Sequence, residues 1–174
     1  MKFKHMITAS CLTLVSAFSL QTHASESFKA CVSTPSVTFE GTVVDAAIAT
    51  PELSILVDAV VAAGLADALA EAEDITVYAP TNDAFTAIPA PVLDAILADV
   101  DLLTTVLTYH VTPGVRDPRN HFKAVARPTL AGPFVYYDFN NGHSRVNQSA
   151  VSCTGVRTDN GIVWVIDSVL LPQF

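Results

Sequence analysis

Thr76-Val77-Tyr78-Ala79-Pro80-Thr81-Asn82-Asp83-Ala84-Phe85 is the stretch on which the fold turns. Ile75 to Ala79 is β-prone and apolar, and Pro80 stops it. Thr81 then stands where a side-chain oxygen caps a helix, and the single turn that follows carries Phe85 and Ile88 inward. A strand thus passes directly into a short helix.

Upstream of this switch the chain reads as helical. Thr42-Val43-Val44-Asp45 has the spacing of a capping box. Thr50 precedes Pro51 and Glu52, a proline and a carboxylate suited to a first helical turn. Leu53, Leu56, Val57, Val60 and Val61 recur at helical spacing, and Gly64 is a natural stop. A shorter segment spans Leu65 to Ala72. Downstream, Pro91 opens a helix with Leu93, Ile96 and Leu97 on one side. Asp99 or Asp101 begins another with Leu102, Leu103, Val106 and Leu107 as its stripe, which Pro113-Gly114 is expected to end.

The remainder reads as strands and turns. Phe134 to Phe139 is aromatic, and Asn140-Asn141-Gly142 predicts a hairpin into Ser144 to Asn147. Val151 to Val156 follows. Asp159-Asn160-Gly161 turns the chain into Ile162 to Ile166, which is apolar on both faces and so predicted to be a central strand. Helices first and strands later indicate an α+β class, a helical N-terminal half packed on a sheet formed mainly by the C-terminal half.

The first residues read as a targeting segment. Lys2 and Lys4 precede an apolar run from Met6 to Leu20, shorter than a bilayer span, and Thr22-His23-Ala24 ends in a small residue. We expect residues 1–24 to be a cleaved signal peptide and 25–174 to form one domain, with no second segment long enough to cross a membrane. The shortened chain keeps seven bases against seventeen acids, a net charge of −10. Thirteen of those acids face Lys29 alone within residues 25–101. Nucleic acid is therefore an unsuitable partner, because its binding depends on neutralising phosphates with Lys and Arg. Cys31 and Cys153 remain as an even pair in a chain bound for an oxidising compartment, and a disulfide is expected between them.

The switch, the run Leu103 to Gly114 containing Tyr109-His110, and the run Asn160 to Pro172 together resemble the fasciclin (FAS1) family. Its first block is a strand, an Ala-Pro-Thr turn and a Phe-bearing helix. Its middle signature is an apolar helix running into Tyr-His and Pro-Gly. Its last block is an Asn-Gly turn, an apolar strand and Val-Leu-Leu-Pro. The resemblance covers residues 37–174 and implies the FAS1 fold, in which helices pack on a wedge or sandwich of strands, with a core of about 37–172. It points to secreted single-domain bacterial members, whose disulfide is similar to the pair Cys31 and Cys153. It implies a non-catalytic adhesion or interaction module, secreted or periplasmic, with a cell-surface or matrix protein or a polysaccharide as partner. It implies no cofactor. Thr81, Asn82, Asp83, Phe85, Tyr109 and His110 are the motif residues it marks for structural or interaction roles.

Two other classes make distinct demands on the sequence. A carrier of an apolar small molecule such as a carotenoid would need an open apolar pocket near the first block. A hydrolase would need a nucleophile beside a base. His110 shares the face of Leu103, Val106 and Leu107, so it is expected in the core with satisfied ring nitrogens. No Gly-x-Ser-x-Gly elbow occurs, and His110, His121 and His143 lack metal-ligand spacing. Arg116, Arg119, His121, Lys123 and Arg127 make the stretch 115–127 more basic than the family pattern. Arg116 and Arg119 are therefore the tentative interaction loop, a docking site for an anionic surface.

Overall fold

The computed structural model describes residues 29–119, 124–140 and 142–172. The expected signal peptide lies outside them, as do His121 and Lys123. Residues 29–33 are helical (α1). The helical half continues with α2 (Val43–Ile48), a 3₁₀ turn (Pro51–Leu53), α3 (Ser54–Ala62) and α4 (Ala66–Glu71), then α5 (Asn82–Thr86), α6 (Ala90–Ala98) and α7 (Val100–Tyr109). The strands are β1 (Val37–Thr38), β2 (Ile75–Pro80), β3 (Val111–Pro113), β4 (Val125–Pro128), β5 (Phe134–Asn140), β6 (His143–Val146), β7 (Ser149–Arg157) and β8 (Gly161–Ile166). They pair in the order β3-β2-β8-β7-β6-β5-β4, with β1 parallel to β7.

The centre of the sheet is β2 lying parallel to β8, Ile75 opposite Gly161 and Tyr78 opposite Trp164. Successive side chains of a strand point to opposite faces. Ile75, Ala79 and Val163 therefore enter the core beneath the helices, with Leu56, Leu103, Val106 and Leu107. Tyr78, Ile162, Trp164 and Ile166 enter a second core with Val135, Tyr137 and Val146. This explains why Ile162 to Ile166 is apolar at every position. Two glycines make the close approaches fit. A Cβ on Gly161 would lie 2.2 Å from the Ile75 carbonyl oxygen, and one on Gly155 would lie 2.8 Å from the Trp164 ring.

The local signals worked as their chemistry requires. Thr42 and Asp45 form the reciprocal capping box, and Gly64 takes a left-handed φ of 66° just past α3. Three elements differ from expectation. The helix expected to run to Pro113-Gly114 stops at Tyr109, because Val111–Pro113 pairs antiparallel with β2 instead. Part of the basic stretch expected as loop is β4, paired with β5. The helix start at Thr50 is a 3₁₀ turn without a side-chain cap, since the Thr50 hydroxyl donates back to the Ala46 carbonyl at 2.8 Å. Among the described residues, no helix is long and apolar enough to cross a membrane.

Candidate functional site

The helix α7 delivers Tyr109 and His110 together, but a step of one residue turns them to different cores. His110 is buried. Its Nδ1 lies 2.7 Å from the Val106 carbonyl oxygen, and its Nε2 accepts from the Leu170 amide at 2.9 Å. These partners define the tautomer: Nδ1 carries the proton and Nε2 the lone pair. Burial disfavours the charged imidazolium and lowers the pKa to about 4, against the weaker upward pull of the Val106 carbonyl. A neutral ring with both nitrogens taken by main-chain groups has no free site with which to activate a nucleophile.

Tyr109 turns toward the outer strands. Its hydroxyl donates to the Phe134 carbonyl at 2.9 Å and accepts from Asn147 Nδ2 at 3.0 Å. Asn147, held at a positive φ of 54°, also accepts the Tyr136 amide on its Oδ1 at 2.9 Å. Its own amide donates to the Tyr136 carbonyl. One asparagine thus continues the pairing of β5 where β6 has ended and anchors it to Tyr109.

The motif residues of the first block are spread over three tasks. The Thr81 hydroxyl accepts from the Ala84 amide and caps α5. Phe85 is buried in the helix-side core. Asn82 reaches away from its own helix: its Oδ1 accepts from the Ile55 amide at 3.0 Å and its Nδ2 donates to the Pro51 carbonyl at 3.2 Å. It supplies the cap that α3 lacks locally. Asp83 is exposed in the first turn of α5, where a carboxylate complements the helix dipole.

The tentative interaction loop divides. Arg116 is exposed, its Nε folded onto the Pro113 carbonyl at 3.3 Å. Arg119 does not belong with it, for it is only 5% exposed. Its Nη1 donates to the carbonyls of Cys31, Thr34 and Cys153 at 3.0, 2.8 and 2.7 Å. Its Nε and Nη2 form a fork onto Asp117 at 3.0 and 2.8 Å. The guanidinium carbon lies 4.6 Å from the centre of the Trp164 ring, within cation–π range. Cys31 and Cys153 are joined by a disulfide. Arg119 therefore clamps the two bridged segments together and offers nothing to a partner. A planar group with five fixed donors is what such a junction needs.

Two spaces contrast in kind. Between α2, α3, α7 and β2 is an apolar cavity of about 40 Å³ lined by Val43, Leu56, Val60, Tyr78 and His110 among others. A water needs about 10–15 Å³ on this measure, so the cavity holds a few methyl groups' worth of space. Ligand pockets run to roughly 300–1,000 Å³. An open cleft of about 500 Å³ lies beside Tyr109, lined also by Phe134, Tyr136, Asp138, Arg145, Asn147 and Gln148. Phe134 and Tyr136 are 52% and 51% exposed, on the outer face of β5 whose other face carries Val135 and Tyr137 into the core. Among the described residues, no cluster of His, Cys, Asp or Glu is arranged to hold a metal.

Sequence reasoning misses the roles of three residues. Asn160 looks like a turn residue, yet its Oδ1 accepts from the Val43 amide and its Nδ2 donates to the carbonyls of Leu69, Ala70 and Ala72. Asn147 looks like a strand end. Arg119 looks like surface charge. The Asn-Gly turn gave a signal for the first alone.

The fasciclin domain profile matches residues 51–172. A Synechocystis protein designated sll1483 is 38% identical over 133 residues, 75% of this chain and 73% of that one. The immunogenic protein MPB70 of Mycobacterium bovis is 42% identical over 97 residues, 56% of this chain and 49% of that one. The cell surface glycolipoprotein MPB83 of the same species is 37% identical over 99 residues, 57% and 44%. The chain spans about half the length of these mycobacterial relatives. Among solved structures, a FAS1 domain pair from the insect cell adhesion molecule fasciclin I matches with a TM-score of 0.60 at 18% identity. That match covers 76% of this chain and 51% of the pair.

Proposed function

We propose, since the chain belongs to the fasciclin family, that it is a non-catalytic interaction module that acts outside the cytoplasm, in the periplasm or at the cell surface. The observation that carries the reading is the state of His110. The one imidazole that sequence offers as a base is buried, neutral and bonded at both nitrogens to main chain. What is left for work at the surface is shape and contact chemistry.

Several features support the location and the mode. The Cys31–Cys153 bridge suits an oxidising compartment. Lys2, Lys4 and the apolar run to Leu20 suit export of a domain that begins near residue 25. Two related proteins carry the words immunogenic and cell surface in their names. The apolar carrier is less well supported, because the apolar cavity beside β2 is about 40 Å³, far below the size of a polyene.

Adhesion measured directly tests the proposal. Beads coated with the oxidised chain are expected to retain cells or envelope fragments of the organism that produces it well above albumin-coated beads. Retention equal to the albumin control would overturn the reading.

A further inference from the structure

We propose that the cleft beside Tyr109 is a binding site for an uncharged, hydroxyl-rich oligosaccharide. The inference rests on the reading of the chain as an interaction module and gives that module a ligand class.

The outer face of β5 presents Phe134, Tyr136 and Asp138 in register along one side of the strand. The two rings are each about half exposed, and residues two apart on a strand stand side by side. Adjacent exposed rings on a rigid strand form a platform for the apolar C–H faces of sugar rings, an amphipathic surface that aromatic side chains match. Beyond them the chemistry becomes polar. Asp138 stands directly opposite Arg145 on β6, yet no ion pair joins them, and Asp138 Oδ1 is shielded from solvent without a hydrogen-bond partner. Arg145 instead donates from Nη2 to the Gln148 carbonyl. A carboxylate held apart from the guanidinium across the ladder leaves an acceptor and donors side by side, the pairing that vicinal hydroxyls satisfy. Each hydroxyl donates one hydrogen bond and accepts others.

The platform is also held in place beforehand. Tyr109 bonds the Phe134 carbonyl, and Asn147 bonds both the amide and the carbonyl of Tyr136. Little ordering is then required when a ligand arrives. The mixture of rings, carboxylate, guanidinium and amide in an open cleft of about 500 Å³ favours a sugar chain over an apolar ligand, which would leave the Asp138 carboxylate oxygen without a partner. It favours a sugar chain over a strongly anionic one as well, because Asp138 would repel it.

Titration calorimetry of the purified full chain with cellohexaose, laminarihexaose and hexa-N-acetylchitohexaose tests the proposal, with two variants alongside. At least one of the three is expected to bind. The double variant Phe134→Ala with Tyr136→Ala removes only half-exposed rings, and its folding is checked by circular dichroism; it is expected to weaken binding roughly tenfold or more. Asp138→Asn is expected to weaken it about tenfold. No heat from any of the three with a folded protein overturns the proposal, and so does binding that survives the double variant. The bead assay separates the two readings. Wild-type beads that retain cells regardless of the double variant sink the sugar site and leave the module standing. Retention that is lost in the double variant but unaffected by a saturating oligosaccharide assigns the cleft to a protein partner, and also overturns this proposal.

Discussion

The end of α7 and the loop after β3 each bury one basic side chain, by opposite means. His110 is buried uncharged, at a place where one helical turn and one main-chain amide satisfy it. Arg119 is buried with its charge, and it needs a fork onto Asp117, three carbonyls and the face of Trp164. A group that can shed its proton avoids the desolvation cost of charge, whereas guanidinium cannot, so structure has to be built around it. The two sites should therefore respond differently to deletion and to acid.

The largest effect is expected at Arg119. Arg119→Ala leaves the carbonyls of Cys31, Thr34 and Cys153 without this donor and removes the ring contact. Asp117 contributes less than its geometry suggests, because its side chain is 45% exposed and screened. The loss is expected to be about 2–4 kcal/mol, from part-buried carbonyls that lose a charged donor and from the packing lost against Trp164. Urea unfolding of the oxidised variant measures it. The fork demands planarity, so Arg119→Lys should recover less than half. A loss under about 1 kcal/mol would mean that the disulfide alone holds the junction and that the buried guanidinium is no more demanding than the imidazole.

Local partners for His110 and distant ones for Arg119 also decide what sequence could reveal. The inward face of His110 was legible because its neighbours Leu103, Val106 and Leu107 recur at helical spacing, and its acceptor Val106 is one turn away. Strands β2, β5, β7 and β8, the capping box and the disulfide were legible for similar reasons: local patterning, or cysteine arithmetic. Arg119 was misread because its partners lie at positions 31, 34, 153 and 164, brought together only by the tertiary fold. No periodicity carries such a relation. The same reason hid Asn82 and Asn160, each of which reads as a local cap or turn while serving the start of a distant helix. It hid the cleft too, since Tyr109, Phe134 and Asp138 meet only through the β5–β6 ladder. The strands β3 and β4 escaped because Pro113 and Pro128 argue against strands, and both sit at strand ends where a missing N–H is tolerated.

The next effect belongs to His110 and is a matter of pH. Its folded pKa is about 4, below the ordinary unfolded value of about 6.5. Above about pH 6.5 neither state is protonated, and the buried neutral ring carries no penalty. As pH falls from 6.5 toward 4 the unfolded chain takes up a proton that the folded chain refuses, and stability is lost. At about 1.4 kcal/mol per unit, the loss is roughly 3 kcal/mol across that window. His110→Gln lacks this titration but leaves the Leu170 amide poorly satisfied, which costs about 1–3 kcal/mol at pH 7. The wild type is thus expected to be the more stable at pH 7, with its lead shrinking or reversing by pH 4. Urea midpoints of both proteins across that range measure it. A gap constant with pH would show that the imidazole charges freely while folded, and that it is not sealed as Arg119 is.

The smallest effect separates support from contact at Tyr109. Tyr109→Phe keeps the ring in the second core but deletes the hydroxyl shared by Phe134 and Asn147. Neutral hydrogen bonds of this kind are worth about 0.5–1.5 kcal/mol each, so a loss of about 1–2 kcal/mol is expected. The more telling readout is the amide of Tyr136, whose partner Asn147 would lose its anchor. Hydrogen exchange at Tyr136 should speed up more than exchange at Tyr137, whose side chain points into the core on the other face of the strand. If the hydroxyl only fills space, both amides will exchange at wild-type rates and the Tyr109 neighbourhood will prove to be packing throughout. Selective acceleration at Tyr136 would show that the tyrosine of α7 tensions the outer strand, leaving the histidine beside it to serve the opposite core.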